Sequence, residues 1–87
     1  MGISMKSYGE YLKFYRTKKK MSQMALAKKL NLKTAQYISN LERSKARPSI
    51  SMAIILAKKI DMPINSLYAI FINDYAQALT IKLGKYL

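Results

Sequence analysis

The chain has 87 residues, 51% of them hydrophobic, which is enough for one small domain burying a modest fraction of its surface. It contains no Cys, no His and four carboxylates, Glu10, Glu42, Asp61 and Asp74. That excludes disulfides, thiolate metal sites and the commonest general base, and without a G-x-S-x-G or P-loop pattern it leaves little material for an enzyme, a metal or a cofactor.

Tyr8, Leu12 and Tyr15 recur at helical spacing, so residues 6–19 read as a first helix with a basic polar face, closed by Lys18, Lys19 and Lys20. Ser22 is a good N-cap for a second helix, with Gln23 in its first turn and Leu26, Ala27 and Leu30 as its buried stripe. Asn31 ends it, since Asn tolerates the left-handed backbone of a tight helix exit. A third helix is expected to start near Thr34 as cap and run to Arg43, with Tyr37 or Ile38 and Leu41 inward and Thr34, Ala35, Gln36, Ser39 and Asn40 outward.

Pro48 and broken periodicity make residues 43–48 a loop, and Ser49 caps a fourth helix running to Ile60. Its expected core stripe is Ile50, Ala53, Ile54, Ala57 and Ile60, with Asp61 as the stop. Pro63 suits the first turn of a fifth helix, and apolar residues at 64, 67, 68, 71, 72, 75, 76, 79, 83 and 86 sustain a helical period almost to the end. Leu79, Ile81 and Leu83 also alternate with Thr80, Lys82 and Gly84 as a strand would, so helix is expected through about Leu79 and the remainder stays open. The resulting fold class is all-α: a compact five-helix bundle with an apolar C-terminal helical extension. Residues 1–69 form the domain, and residues 70–87 the extension packed on it.

The charge is concentrated in the N-terminal half. The formal net charge is +12, and residues 1–47 hold twelve of the sixteen cations and two of the four acids. Such a balance implies a polyanionic partner, nucleic acid or an acidic membrane surface. The membrane is the weaker reading, because the basic and apolar segments lie in different halves instead of on opposite faces of one helix. No stretch of about eighteen uncharged apolar residues appears, so no membrane span is expected; the N-terminus lacks a signal-peptide h-region and Lys6 breaks the myristoylation pattern, so a cytoplasmic protein is expected. Residues 21–48, two short amphipathic helices around a tight turn with an amide-rich second helix flanked by cations, suit double-stranded DNA. A helix fits the major groove, where Asn and Gln bond bidentately to adenine while Lys and Arg neutralise phosphates.

The chain resembles the phage-repressor-like, or Xre-type, helix-turn-helix family, which includes the lambda repressor and Cro. The resemblance covers about residues 8–68 and is carried by Leu12 and Arg16, by Ser22-Gln23 with Leu26-Ala27, by Ile38-Ser39-Asn40-Leu41-Glu42-Arg43, by Pro48-Ser49 and by Leu67-Tyr68. It implies base contacts from Thr34, Ala35, Gln36, Ser39 and Asn40, with Gln36 foremost. It implies phosphate contacts from Gln23, Lys33, Tyr37, Arg43, Lys45 and Arg47, and a structural ion pair between Arg16 and Glu42. The chain departs from the family pattern where glycine often ends a helix and it carries Lys20, Asn31, Ser44 and Asp61 instead. The Leu30–Ile38 connection is one residue longer than the commonest spacing, which moves the helix-three cap between Lys33 and Thr34.

Met52 and Ile55 fall on a helix-four face that the family usually keeps polar, where exposed apolar groups require cover. Together with Phe71, Ile72, Tyr75, Leu79 and Leu83 they are expected to form a homodimer interface; the alternative is that the tail folds back onto a monomer core. The function expected is a sequence-specific DNA-binding regulator, a repressor acting as a homodimer on a palindromic operator. The alternative is the antitoxin of a toxin-antitoxin pair, whose C-terminal segment binds a partner protein.

Overall fold

A computed structural model describes residues 7–67, 69–71 and 84, and shows five helices with no strand among them. Helix α1 spans Tyr8–Lys18, α2 Gln23–Lys29, α3 Gln36–Glu42 and α4 Ile50–Ile60. Helical backbone at residues 64–67 and 69–71 forms α5.

Three serines start three of these helices by accepting a backbone N–H: Ser7 from Glu10 at 3.3 Å, Ser22 from Ala25 at 2.9 Å and Ser49 from Met52 at 3.1 Å. Each satisfies a donor that the first turn leaves without a partner. Helix α3 departs from the expected start at Thr34. Its N-cap is Ala35, which makes no side-chain cap, and the Thr34 hydroxyl instead accepts from the Gln36 N–H at 3.3 Å. A threonine hydroxyl can close a local turn as well as cap a helix, and here the local turn displaces the helix start by one residue.

The first four helices end alike. Lys20, Asn31, Ser44 and Asp61 have φ of 59°, 60°, 60° and 56°, all left-handed. The next residue in each case donates its N–H five residues back: Met21 to Arg16, Leu32 to Ala27, Lys45 to Asn40 and Met62 to Ala57, at 2.8–3.2 Å. These are Schellman closures, which satisfy carbonyls at the helix end and return the chain sharply. Met21, Leu32 and Met62 then pack against the core, whereas Lys45 is exposed.

The six largest fully buried side chains are Leu12, Leu26, Ile38, Leu41, Leu56 and Ile60, drawn from α1 to α4. Burial of each contributes about 1.5–3 kcal/mol against exposure. Helix α4 corrects the expected stripe: Ala53, Leu56, Ala57 and Ile60 face the core, while Ile50 and Ile54 are 73% and 41% exposed. The helix is apolar on nearly all sides, so periodicity alone allowed two stripes about 60° apart, and the contacts of Leu56 select one. Leu67 on α5 is buried, and Ile70 and Phe71 pack half-buried against the same core. Phe71 meets Tyr8 with ring centroids 5.6 Å apart.

Gly9 sets how closely α1 approaches α3. A Cβ there would lie 2.5 Å from the carbonyl oxygens of both Leu41 and Glu42, a distance no side-chain carbon can occupy. Glycine is a poor helix former, but as the second residue of α1 it allows the N-terminal turn of that helix to lie on the last carbonyls of α3.

Candidate nucleic-acid interface

Glu42, the last residue of α3, is held from two other helices. Arg16 on α1 donates Nε to Oε2 at 2.6 Å and Nη2 to Oε1 at 3.0 Å, while Gln23 on α2 donates Nε2 to Oε1 at 3.0 Å. The remaining Arg16 nitrogen, Nη1, donates to the Met21 carbonyl at 2.6 Å. Arg16 is 8% exposed, so the pair is largely withdrawn from water and depends on this nearly complete set of partners. The network fixes the α1–α2 turn, the first turn of α2 and the end of α3 in one arrangement.

Sequence reasoning gave Gln23 to phosphate and had no signal for its bond to Glu42, which lies 19 residues away. An amide nitrogen carries two hydrogens, so one remains for another acceptor. The Met21 carbonyl was likewise invisible in the sequence, because any residue supplies that acceptor.

Along α3, Ile38 and Leu41 face the core and Tyr37 lies half-buried against it, which leaves the opposite side outward. Thr34 and Gln36 are exposed, and Ala35, Ser39 and Asn40 are partly so. Gln36 Nε2 donates to Asn40 Oδ1 at 2.9 Å, so the two amides one turn apart form a ridge with an acceptor oxygen and donor hydrogens still directed outward. Such an edge matches the N7 acceptor and N6 donor of adenine. Burial raises the Tyr37 phenol above its ordinary value, so its hydroxyl remains a neutral donor or acceptor at physiological pH.

Cations lie on both sides. Lys33 precedes the ridge, and Arg43, Lys45 and Arg47 follow it, all exposed. The loop that carries them is tied to the helix by the Asn40 carbonyl, which accepts from Lys45 at 2.8 Å and Ala46 at 3.3 Å, and is anchored by buried Pro48. Glu42, the acid at the end of α3, is enclosed by its donors, so the described outward residues of α3 and its flanking loops are amides, small residues and cations.

Of the residues expected between subunits, Met52 and Phe71 pack half-buried on their own core, and Ile55 is 42% exposed. Ile72, Tyr75, Leu79 and Leu83 lie outside the described residues, as does the choice between helix and strand for residues 79–83. No helix among the described residues is long and apolar enough to cross a membrane.

Comparison with protein families matches residues 12–67 to the helix-turn-helix family. No curated protein and no solved structure matches the chain.

Proposed function

The chain belongs to the Xre, or lambda-repressor-like, helix-turn-helix family of DNA-binding regulators, and from that premise we propose that it is a sequence-specific repressor that binds a palindromic operator as a homodimer. The observation that carries the reading is the Gln36–Asn40 amide ridge between exposed cations on a helix whose other side is locked into the core. In this reading α3 enters the major groove and Thr34, Ala35, Gln36, Ser39 and Asn40 meet base edges. Gln23, Lys33, Tyr37, Arg43, Lys45 and Arg47 hold phosphates on either side.

The dimer is supported by apolar surface that the described chain leaves uncovered. Ile54 and Ile55 on α4 are 41% and 42% exposed, and Ile64 on α5 is 53% exposed. An interface there, extended by residues 70–87, would place two recognition helices about 34 Å apart on half-sites one turn of DNA apart. The same isoleucines support the second reading, an antitoxin whose partner protein covers them.

Selection of bound duplexes from a random pool at near-physiological salt tests the proposal. An inverted repeat with half-sites one helical turn apart is expected, and Gln36→Ala should relax preference at one position, a loss of about 1–3 kcal/mol there. Enrichment of single half-sites would overturn the homodimer, and no enrichment would overturn sequence-specific recognition. Sedimentation of the pure protein separates the two readings. A dimer at micromolar concentration supports the repressor, and a monomer that gains mass only with a co-encoded partner supports the antitoxin.

A further inference from the structure

Each of the first four helices ends on a left-handed residue, and two of those residues are types suited to it. Asn31 and Asp61 tolerate positive φ through their short polar side chains, whereas Lys20, at φ 59°, has neither that chemistry nor the freedom of glycine. Strained residues persist where their surroundings over-determine them, and they cluster at functional sites.

The neighbouring cations in this turn have partners. Arg16 is held by Glu42 and the Met21 carbonyl, Lys18 lies 5.6 Å from the centre of the Tyr15 ring, and Lys19 pairs with Asp61. Lys20 is exposed and has no ion-pair partner among the described residues. Its backbone is fixed from both sides, since its N–H donates to the Thr17 carbonyl at 2.9 Å and the Met21 N–H closes onto the Arg16 carbonyl at 3.2 Å. Three residues further on stands Gln23, itself pinned to Glu42. The turn therefore presents an ammonium group from a rigid base beside the start of α2.

We propose that Lys20 binds a DNA backbone phosphate next to the one assigned to Gln23, and that this contact is why a lysine occupies a left-handed position. The inference rests on the DNA-binding reading and extends its phosphate contacts from α2 back into the α1–α2 turn.

The test pairs stability with binding in the full chain. Lys20→Gly relieves the backbone, so its thermal midpoint should equal or exceed that of the wild type. Its affinity for the selected operator and for a scrambled duplex should nevertheless fall together, by roughly fivefold at 0.15 M salt, with the slope of log K against log salt shallower by about 0.9 per protomer. Lys20→Asn, which removes the charge with a residue that accepts positive φ, should show the same loss, and Lys20→Arg should bind like the wild type. Lys59→Ala removes one charge from the far end of α4 and should leave the slope nearly unchanged. An unchanged slope in Lys20→Gly and Lys20→Asn, or an equal loss in Lys59→Ala, would overturn the contact while leaving DNA binding intact. Failure of the wild type to bind either duplex would overturn the DNA-binding reading and the role of Lys20 with it.

Discussion

Glu42 receives hydrogen bonds from Arg16 and Gln23 on two different helices, so its carboxylate is withdrawn from water on the strength of those partners. Glu42→Ala leaves the Arg16 guanidinium poorly compensated in a site where it is 8% exposed, and should cost about 3–5 kcal/mol in denaturant unfolding. Replacing both charges, as Arg16→Met with Glu42→Leu, should cost much less, because no buried charge is left without its partner. Equal losses in the single and double variants would contradict this account. Tyr8 is the converse case: its hydroxyl is buried and has no hydrogen-bond partner among the described residues. Tyr8→Phe should therefore stabilise the fold by about 1 kcal/mol. Burial, and secondarily the nearby Tyr37, raises the Tyr8 phenol above its ordinary value of 10.0. A raised folded-state value means that stability is fully present below pH 10 and is lost as pH climbs from there toward the folded-state value. Tyr8→Phe should move the midpoint of alkaline unfolding upward, and an unmoved midpoint would show that other groups govern it.

The elements were legible in the sequence where their signals are local. Ser22 and Ser49 cap the helices they were expected to cap, and Asn31 and Asp61 end theirs in left-handed backbone, because each effect involves only neighbouring residues. Legibility failed where several partners compete. The stripe of α4 was misplaced because Ile50 and Ile54 are as apolar as Leu56, and only the packed neighbours distinguish them. The start of α3 was misplaced because the Thr34 hydroxyl can serve two different turns. Candidate base-contact positions could be named from the outward side of α3, but the Gln36–Asn40 bond that joins two of them was not foreseen. The proximity of α1 and α3 at Gly9 was also missed, although a glycine within a helical pattern is a recognised sign of close packing. Gly9→Ala should push α1 away from the last carbonyls of α3 and cost about 1–3 kcal/mol. Thermal unfolding measures it, and an unchanged midpoint would mean that the two helices can separate freely. On the opposite side of α4, Ile54→Lys with Ile55→Lys removes exposed apolar surface without touching the core stripe. The midpoint of the isolated fold should change little, while sedimentation should show loss of the proposed dimer. A variant that stays dimeric would place the interface elsewhere.

At the scale of the whole molecule the charge is decisive. With a net charge of +12 the chain binds any duplex to some degree, and sequence preference must exceed that background. Lys33, Arg43, Lys45 and Arg47 on each of two protomers would give a salt slope of about −7, or about −9 with Lys20 included. Titration of operator binding with salt measures this directly. A slope near −2 would mean that most of these cations stay solvated in the complex. Specificity, the difference between operator and scrambled duplex, should vary little over the same range of salt if it comes from the amide ridge as proposed, because those groups are uncharged.

The four Schellman closures have a further consequence, for how this sequence can change. Most substitutions destabilise a small domain, and the number it can absorb depends on its margin above the threshold for folding. Of the four helix ends, Ser44 carries a side chain where glycine would relieve the backbone and to which no contact is assigned, so a stabilising change there is one substitution away. A lineage that gained glycine at Ser44 would add margin with little change in shape, and could then accept costlier substitutions on the outer side of α3. The left-handed turn at Ser44 is thus an unused allowance for altering which duplex sequence α3 would read in the proposed complex.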